Sequence, residues 1–207
     1  MSIADIWADA DVVAQHVAGA EHELLDPLAC EPYSVFIGWL EEVDGRRGRL
    51  LDIGCGAGAY GVLCARYAPA VEYYGIDRSP GMIAVAKELC PTGHFFEGAL
   101  HDVDVSLFDV VLISACIEFA IGPITELAHL LNRLKPGAVL LLHRARPSAV
   151  GEGYHAPEDC YGRQSGWYWW DMHEVREVAL QCGCTVSFIR WDRPDIVTVE
   201  FTKTQGD

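Results

Sequence analysis

Short apolar segments of strand length alternate with amphipathic helical segments along the chain after residue 48. Alternation of this kind predicts an α/β fold in three layers, with helices on both faces of a mostly parallel sheet. Residues 192–195 carry a turn signal, so the last two strands form a C-terminal antiparallel hairpin. The seven predicted strands are 49–53, 71–76, 94–97, 108–114, 138–143, 185–191 and 196–202, and the predicted helices are 59–67, 80–89, 124–134 and 172–182.

Two stretches of the chain depart from this alternation. In residues 1–44 the apolar positions recur at helical spacing, with interruptions at Pro27 and Pro32, so two or three short helices are expected before a turn at 45–48. Residues 152–170 are rich in aromatic side chains and are predicted to be irregular. We therefore predict an N-terminal helical cap at 1–47 and one domain at 48–207 that contains an aromatic insert at 150–171.

The most informative stretch is the glycine loop, residues 54–58, with the sequence Gly54-Cys55-Gly56-Ala57-Gly58. It follows the first predicted strand and opens a helix. Glycine permits a tight turn and a close approach of a ligand to the backbone, and the helix N-terminus beyond it offers N–H groups to an anion. The next strand ends at Asp77, where a carboxylate is placed to accept hydrogen bonds from ribose hydroxyls. Together these features favour a cofactor site over a simple tight turn.

The same glycines also satisfy the dinucleotide fingerprint, through Gly56, Gly58 and Gly61. Three points argue against a nicotinamide enzyme. Asp52 would fall inside a strand that such folds keep apolar, and Gly54 would have no role. The chain also lacks the length for a separate substrate domain.

Four motifs make the sequence similar to the class I, Rossmann-like S-adenosylmethionine-dependent methyltransferases. Residues 51–58 match the first motif of that family, and residues 75–82 resemble the second. Residues 108–111 resemble its fourth-strand motif, and residues 134–137 resemble the turn before the fifth strand. The resemblance runs from about residue 48 to the C-terminus and implies a Rossmann-like fold with S-adenosylmethionine as the cofactor.

The resemblance implies roles for residues around the glycine loop. The backbone of the loop, including Gly54, Cys55, Gly56 and Gly58, would pack beside the methionine part of the cofactor. Asp52 would lie near the amino group of that part, and Ser114 would face it from the end of the fourth strand. Asp77 would hold the ribose. Tyr33 is a candidate cofactor contact and equally a candidate core residue.

The adenine end of the implied site shows one departure from the family. Arg78 and Met82 would border the adenine, with Met82 offering a soft apolar face. The acidic residue that the family often places after the third strand is matched only by Asp102, which is displaced. We therefore expect the backbones of Ala99 and Leu100 to supply adenine contacts instead.

Polar side chains after the fourth and fifth strands are candidates for handling a methyl acceptor. Glu118 either binds a cationic acceptor or takes a proton, or else it complements a helix start. His143 is a candidate base, with a packed strand-end histidine as the alternative. Arg144 and Arg146 stand out in an acidic chain and would hold a substrate carboxylate or phosphate, unless they pair with surface acids.

The aromatic insert supplies the remaining candidates. Tyr154 and His155 are candidate catalytic residues, and Trp167 and Trp169 are candidate substrate-binding residues. We hypothesise a lid that walls the sulfonium with aromatic faces. The alternative is a hydrophobic anchor that keeps a loose insert ordered.

Composition limits the partners. The chain has fifteen Lys and Arg residues and thirty Asp and Glu residues, for a formal net charge of −15. We therefore expect no nucleic-acid partner. The sequence shows no secretory signal, no apolar run of membrane length and no disulfide or metal framework among its eight cysteines. We therefore expect a cytoplasmic monomer or homodimer without a metal or a membrane partner.

The favoured function is in-line methyl transfer from S-adenosylmethionine to an oxygen or nitrogen atom of a small molecule. A protein or peptide methyltransferase and a non-catalytic cofactor-binding module stay open as alternatives. An oxidoreductase is a distant fourth hypothesis.

Overall fold

The computed structural model describes residues 6–42, 48–160, 163–193 and 195–205. The chain divides into two compact units, an N-terminal unit of Met1–Val103 and a C-terminal unit of Asp104–Asp207. Parts of the predicted cap (1–5 and 43–47) and Pro194 of the predicted hairpin turn lie outside the described residues.

The N-terminal unit combines a parallel sheet with α-helices. The strand order is β3-β2-β1, and β2 is parallel to both neighbours. Helix α4 begins where Ser79 accepts a hydrogen bond from the Met82 N–H and Pro80 occupies the first turn, a favourable N-cap arrangement. The elements are α1 (Ala10–Leu25), α2 (Glu31–Glu42), β1 (Gly48–Ile53), α3 (Ala59–Tyr67), β2 (Val71–Asp77), α4 (Pro80–Leu89) and β3 (His94–Glu97).

The C-terminal unit has both parallel and antiparallel pairings. β4 runs parallel to β5, and β5 pairs antiparallel with β9, which in turn forms the C-terminal hairpin with β8. Near its end β5 also pairs in parallel with β7, the partner of β6. The elements are β4 (Val110–Ser114), α5 (Pro123–Arg133), β5 (Val139–Pro147), β6 (Tyr154–Cys160), β7 (Arg163–Trp170), α6 (Met172–Gln181), β8 (Cys184–Arg190) and β9 (Val197–Lys203).

Lys203, the last residue of β9, forms hydrogen bonds with the ends of two helices of the C-terminal unit. Its Nζ donates hydrogen bonds to the carbonyl oxygens of Cys182, 2.5 Å away, and Leu131, 3.1 Å away. These carbonyls lie at the C-terminal ends of α6 and α5, where a cation is favourable. In the part of the chain that the structure describes, no helix is both long and apolar enough to cross a membrane.

The predicted α/β class, the mostly parallel sheet and the antiparallel C-terminal strands are confirmed. The prediction that residues 152–170 are irregular is wrong, because β6 and β7 form an antiparallel pair there. Tryptophan and tyrosine have high β propensity, and their side chains alternate between the two faces of a strand. Because both faces carry aromatic residues here, the sequence shows no alternation of polar and apolar positions. The described residues thus contain nine strands where seven were predicted.

Candidate functional site

The glycine loop lies between β1 and α3 and is held against β2. Gly54, Gly56 and Gly58 have φ angles of 73°, 53° and 79°, which favour glycine over other residues. The N–H groups of Gly54 and Cys55 both donate to the Ile76 carbonyl, at 2.8 and 3.1 Å. A Cβ on Gly58 would lie 3.0 Å from side-chain atoms of Ala86 and Phe95, so packing also excludes a larger residue there.

Asp77 ends β2 beside this loop, and both of its carboxylate oxygens are engaged. Oδ2 accepts the Gly56 N–H at 2.9 Å, and Oδ1 accepts the Ser79 N–H at 2.8 Å. Burial raises the pKa of Asp77, and these backbone hydrogen bonds partly offset that rise. Each oxygen of a carboxylate has a second lone pair, so Asp77 retains the capacity to accept hydrogen bonds from hydroxyl groups.

Asp52 is buried within β1, directly before the loop. The Tyr73 hydroxyl donates to its Oδ2 at 2.5 Å, whereas its Oδ1 has no hydrogen-bond partner among the described residues. Burial raises the pKa of Asp52 to about 7, and the hydrogen bond from Tyr73 opposes that rise. An acceptor buried without a partner is costly, so this oxygen is suited to a donor group on a ligand.

The residues expected near the adenine have varied surroundings. Arg78 is exposed, and Met82 is buried at the start of α4. The Ala99 N–H donates to Asp102 Oδ2 at 2.7 Å, so this backbone donor is already engaged by the displaced acid. Leu100 begins a short 3-10 turn and is half-buried.

Two further residues with predicted cofactor contacts are packed in the interior of the N-terminal unit. Cys55 is buried, and its Sγ lies 2.8 Å from where a Cβ on Gly75 would be. Tyr33 packs edge to face with Tyr60 at 5.6 Å between ring centroids, and burial raises the pKa of its hydroxyl. Core packing therefore accounts for the position of Tyr33 in α2.

His16 of α1 is a further candidate site residue that the sequence pattern did not indicate. Its Nε2 lies 3.1 Å from where a Cβ on Gly56 would be, directly over the middle of the glycine loop. Its ring packs edge to face with that of Trp7 at 5.4 Å, and its charge lowers the pKa of Asp77. The available signal was a polar ring three residues after Val13, beside the apolar stripe of α1.

In the C-terminal unit, Glu118 lies in a 3-10 turn after β4 and is 0% exposed. Neither carboxylate oxygen makes a hydrogen bond of normal geometry with a described residue. Burial raises the pKa of Glu118 to about 7. Nearby backbone N–H groups, the Trp170 indole and the charge of Arg144 only partly offset that effect.

The backbone of the C-terminal unit is strained at Ala115 and Arg144. Ala115, just after β4, and Arg144, within β5, have φ angles of 53° and 65°, in a region that non-glycine residues rarely occupy. The pairing of β5 with β9 shifts register between Leu142 and Ala145, so a bulge redirects the chain at Arg144. Strain of this kind concentrates at functional sites.

Arg146, Trp167 and Trp169, all predicted to bind substrate, form one cluster. The Arg146 Cζ lies 4.4 Å from the ring centroid of Trp167 and 5.7 Å from that of Trp169. Phe119 packs edge to face on Trp167, and Tyr154 stacks on Trp169. Among the described residues, the indole nitrogens of the tryptophans at 167, 169 and 170 are buried and make no hydrogen bond of normal geometry.

The two candidate histidines of this unit are placed differently. His143 is 1% exposed, and its Nδ1 lies 2.7 Å from Thr198 Oγ1, which also accepts the Trp191 indole N–H at 3.0 Å. His155 is exposed, with its Nε2 3.1 Å from the Ala120 carbonyl oxygen.

The other two polar candidates are Ser114 in β4 and Arg144 in β5. Ser114, the last residue of β4, is half-buried, as is Arg144. Across the described ranges, no three His, Cys, Asp or Glu side chains are grouped as metal ligands would be.

Comparison with known proteins agrees with this architecture. Residues 51–140 match a family model described as a methyltransferase domain. Trans-aconitate 2-methyltransferase of Rhodopseudomonas palustris is 29% identical over 63% of this chain and 49% of its own length. The enzyme of that name from Escherichia coli is 27% identical over 67% of this chain and 57% of its own length. The chain thus spans only about half the length of these curated relatives.

A solved structure extends the likeness in fold over nearly the whole chain. The 1,6-didemethyltoxoflavin-N1-methyltransferase of Burkholderia thailandensis has a TM-score of 0.64 at 19% identity, covering 95% of this chain and 89% of its own. The match over residues 51–140 and the shared fold support the resemblance of this chain to the class I, Rossmann-like S-adenosylmethionine-dependent methyltransferases.

Proposed function

We propose that this chain catalyses the transfer of a methyl group from S-adenosylmethionine to an oxygen or nitrogen atom of a small molecule. The observation that carries the proposal is the glycine loop with Asp77 beside it. Three glycines in left-handed conformation form the tight turn between β1 and α3, and the Asp77 carboxylate beside it is oriented by two backbone N–H groups.

The donor set of the N-terminal unit fits this cofactor. Asp77 would hold the ribose hydroxyls, and the unpartnered Asp52 Oδ1 would accept a hydrogen bond from the amino group, directly or through water. The first turn of α3 offers backbone N–H groups to the cofactor carboxylate. When bound, the cofactor supplies a methyl group activated by its sulfonium, so the protein needs mainly to orient the acceptor and exclude water.

The acceptor-handling residues are proposed for the C-terminal unit. Glu118 has a pKa near neutrality and is suited to hold or take the proton that an O–H or N–H acceptor loses. His143, Tyr154 and His155 are the other candidates for proton transfer. Substrate binding is assigned to Arg144, Arg146, Trp167 and Trp169.

Several observations support a small acceptor rather than a macromolecule. The Burkholderia neighbour carries 1,6-didemethyltoxoflavin and S-adenosylhomocysteine, and the curated relatives are named for trans-aconitate. The net charge of −15 disfavours nucleic acid. A monomer or homodimer in the cytoplasm, without a membrane partner, is part of the same proposal.

Calorimetry followed by a turnover panel tests the proposal. S-adenosylhomocysteine is expected to bind the full chain with one site per molecule, and a nicotinamide dinucleotide is expected not to bind. Release of S-adenosylhomocysteine is then measured with phenols, amines, carboxylic acids and thiols as acceptors. Failure to bind S-adenosylhomocysteine would overturn the cofactor assignment, and binding without turnover on any acceptor would favour a non-catalytic module.

A further inference from the structure

We propose that His16 binds the carboxylate of the amino-acid end of the cofactor and thereby holds α1 over the glycine loop. The inference rests on the proposed function, because it assigns one more residue to the same site. It also gives the N-terminal helical segment a direct role in cofactor affinity.

The position of the imidazole is the first step of the argument. His16 Nε2 is 3.1 Å from the place that a Cβ on Gly56 would occupy, so the nitrogen lies over the bare Cα of that glycine. The imidazole thus fills the space that a side chain at position 56 would take, and a ligand that lies along the loop next to Gly56 would meet this ring. An imidazole N–H is a hydrogen-bond donor, and a donor at this position is suited to an anionic group on the ligand.

The placement of His16 is supported from two sides. Its ring packs edge to face with Trp7 at 5.4 Å, which fixes the orientation of the imidazole. Val13, one turn earlier in α1, lies 3.6 Å from the Cβ position of Gly81 in the first turn of α4. Since α1 packs on α4 and on the loop, His16 does not need to move far to reach a ligand.

The negative charge of the neighbouring Asp77 is the basis for assigning the ligand group beside His16. Asp77 is the acid assigned to the ribose, and it repels a second anion placed beside it. His16 lowers the pKa of Asp77, so it supplies positive potential at this point of an otherwise acidic chain. The amino-acid end of the cofactor carries its only carboxylate, and a cationic donor over Gly56 would compensate for that charge.

Two ligands that differ in the amino-acid end test this assignment. S-adenosylhomocysteine has the carboxylate, and 5′-methylthioadenosine has the same nucleoside and a thioether without it. Calorimetry on the full-length His16→Ala variant is expected to show binding of S-adenosylhomocysteine weakened roughly 10- to 100-fold, the range of one charge-assisted hydrogen bond. Binding of 5′-methylthioadenosine is expected to change by less than about threefold.

Matched variants separate binding from folding. His22, an exposed histidine in the last turn of the same helix, serves as the control, and His22→Ala is expected to leave both affinities unchanged. His16→Gln keeps a donor and is expected to recover part of the lost affinity. Thermal melting without ligand verifies that each variant is folded.

Three outcomes would overturn the inference. One is equal binding of S-adenosylhomocysteine by His16→Ala and the unsubstituted chain. Another is an equal loss for both ligands, which would make His16 a packing or ribose-side residue. No binding by the unsubstituted chain would overturn the proposed function itself, and the inference with it.

Discussion

Buried polar groups have more hydrogen-bond partners in the glycine-loop region of the N-terminal unit than in the region around β7 of the C-terminal unit. Around the loop, Asp77 uses both oxygens on backbone N–H groups, and Asp52 accepts a hydrogen bond from Tyr73. Around β7, both oxygens of Glu118 and the indole nitrogen of Trp170 are buried without a normal hydrogen bond. Among these groups, the first region has one buried atom without a partner, Asp52 Oδ1, whereas the second has several.

This difference indicates which region has a geometry determined by the hydrogen bonds of the protein itself. A satisfied network has one preferred arrangement, and it can serve any enzyme that uses the same cofactor. Unsatisfied buried groups cost free energy and persist where a ligand or a function compensates for them. We therefore expect the N-terminal unit to determine cofactor affinity and the C-terminal unit to determine acceptor choice.

The largest expected effect comes from Asp77→Ala. The change removes the proposed ribose acceptor and leaves the Gly56 and Ser79 N–H groups without their present partner. We expect the affinity for S-adenosylhomocysteine to fall at least about 100-fold, or roughly 3 kcal/mol, by calorimetry. Glu88→Ala, which changes an exposed carboxylate of α4, is the matched control and should leave the affinity unchanged. If Asp77→Ala binds normally, this region does not determine cofactor affinity.

The same contrast explains what the sequence could and could not predict. The loop and Asp77 were predicted because backbone geometry demands glycine at fixed positions, and a carboxylate at the end of β2 is a local signal. His16 was missed because its approach to Gly56 depends on how α1 packs, which no spacing within α1 encodes.

The aromatic insert shows a second limit of prediction. Residues 167–170 are all aromatic, so polar and apolar positions do not alternate there and the pattern did not indicate a strand. The cation–π cluster of Arg146 with two tryptophans then depends on the pairing of β5 with β7, a tertiary feature. Positions were predictable where they follow from local backbone geometry, and they were not where they depend on tertiary packing.

The second prediction concerns pH and Glu118. Its pKa in the folded chain, about 7, exceeds the usual 4.5, so the folded state binds this proton more tightly than the unfolded state. The stability that this proton contributes is therefore complete below about pH 4.5 and is lost as pH rises through 7. We expect Glu118→Gln to remove about 2 kcal/mol of the fall in unfolding free energy between pH 5 and pH 8.

Urea denaturation at the two pH values measures this difference. Asp52 has a shift in the same direction, so part of the fall with pH should remain in Glu118→Gln. Glu177→Gln, at an exposed position of α6, is the control and should keep the full pH dependence. An identical fall in Glu118→Gln and the unsubstituted chain would show that Glu118 is ionised or compensated in the folded state.

The third prediction tests the aromatic insert as an acceptor wall. Trp167→Ala removes the ring under Arg146 and should lower kcat/KM about tenfold for any acceptor found in the panel, which corresponds to roughly 1.4 kcal/mol. Affinity for S-adenosylhomocysteine should stay unchanged in calorimetry. Phe188→Ala, which removes another ring stacked with an arginine in the same unit, is the control. Unchanged turnover in both Trp167→Ala and Trp169→Ala would leave the insert only an anchoring role.

The smallest expected effect compares one helix cap from each unit. Ser79 is 4% exposed and caps α4, whereas the cap that Asp171 forms at α6 is exposed to solvent. Ser79→Ala leaves the Met82 N–H buried without its acceptor and should lower the unfolding free energy by about 1 kcal/mol in urea denaturation. Asp171→Ala should lower it by roughly half as much, since water can replace the lost acceptor at the His173 N–H. Because the Ser79 N–H that holds Asp77 survives the substitution, cofactor affinity should change little. A larger loss at Asp171 would contradict the view that the region around Asp77 is the more tightly determined of the two.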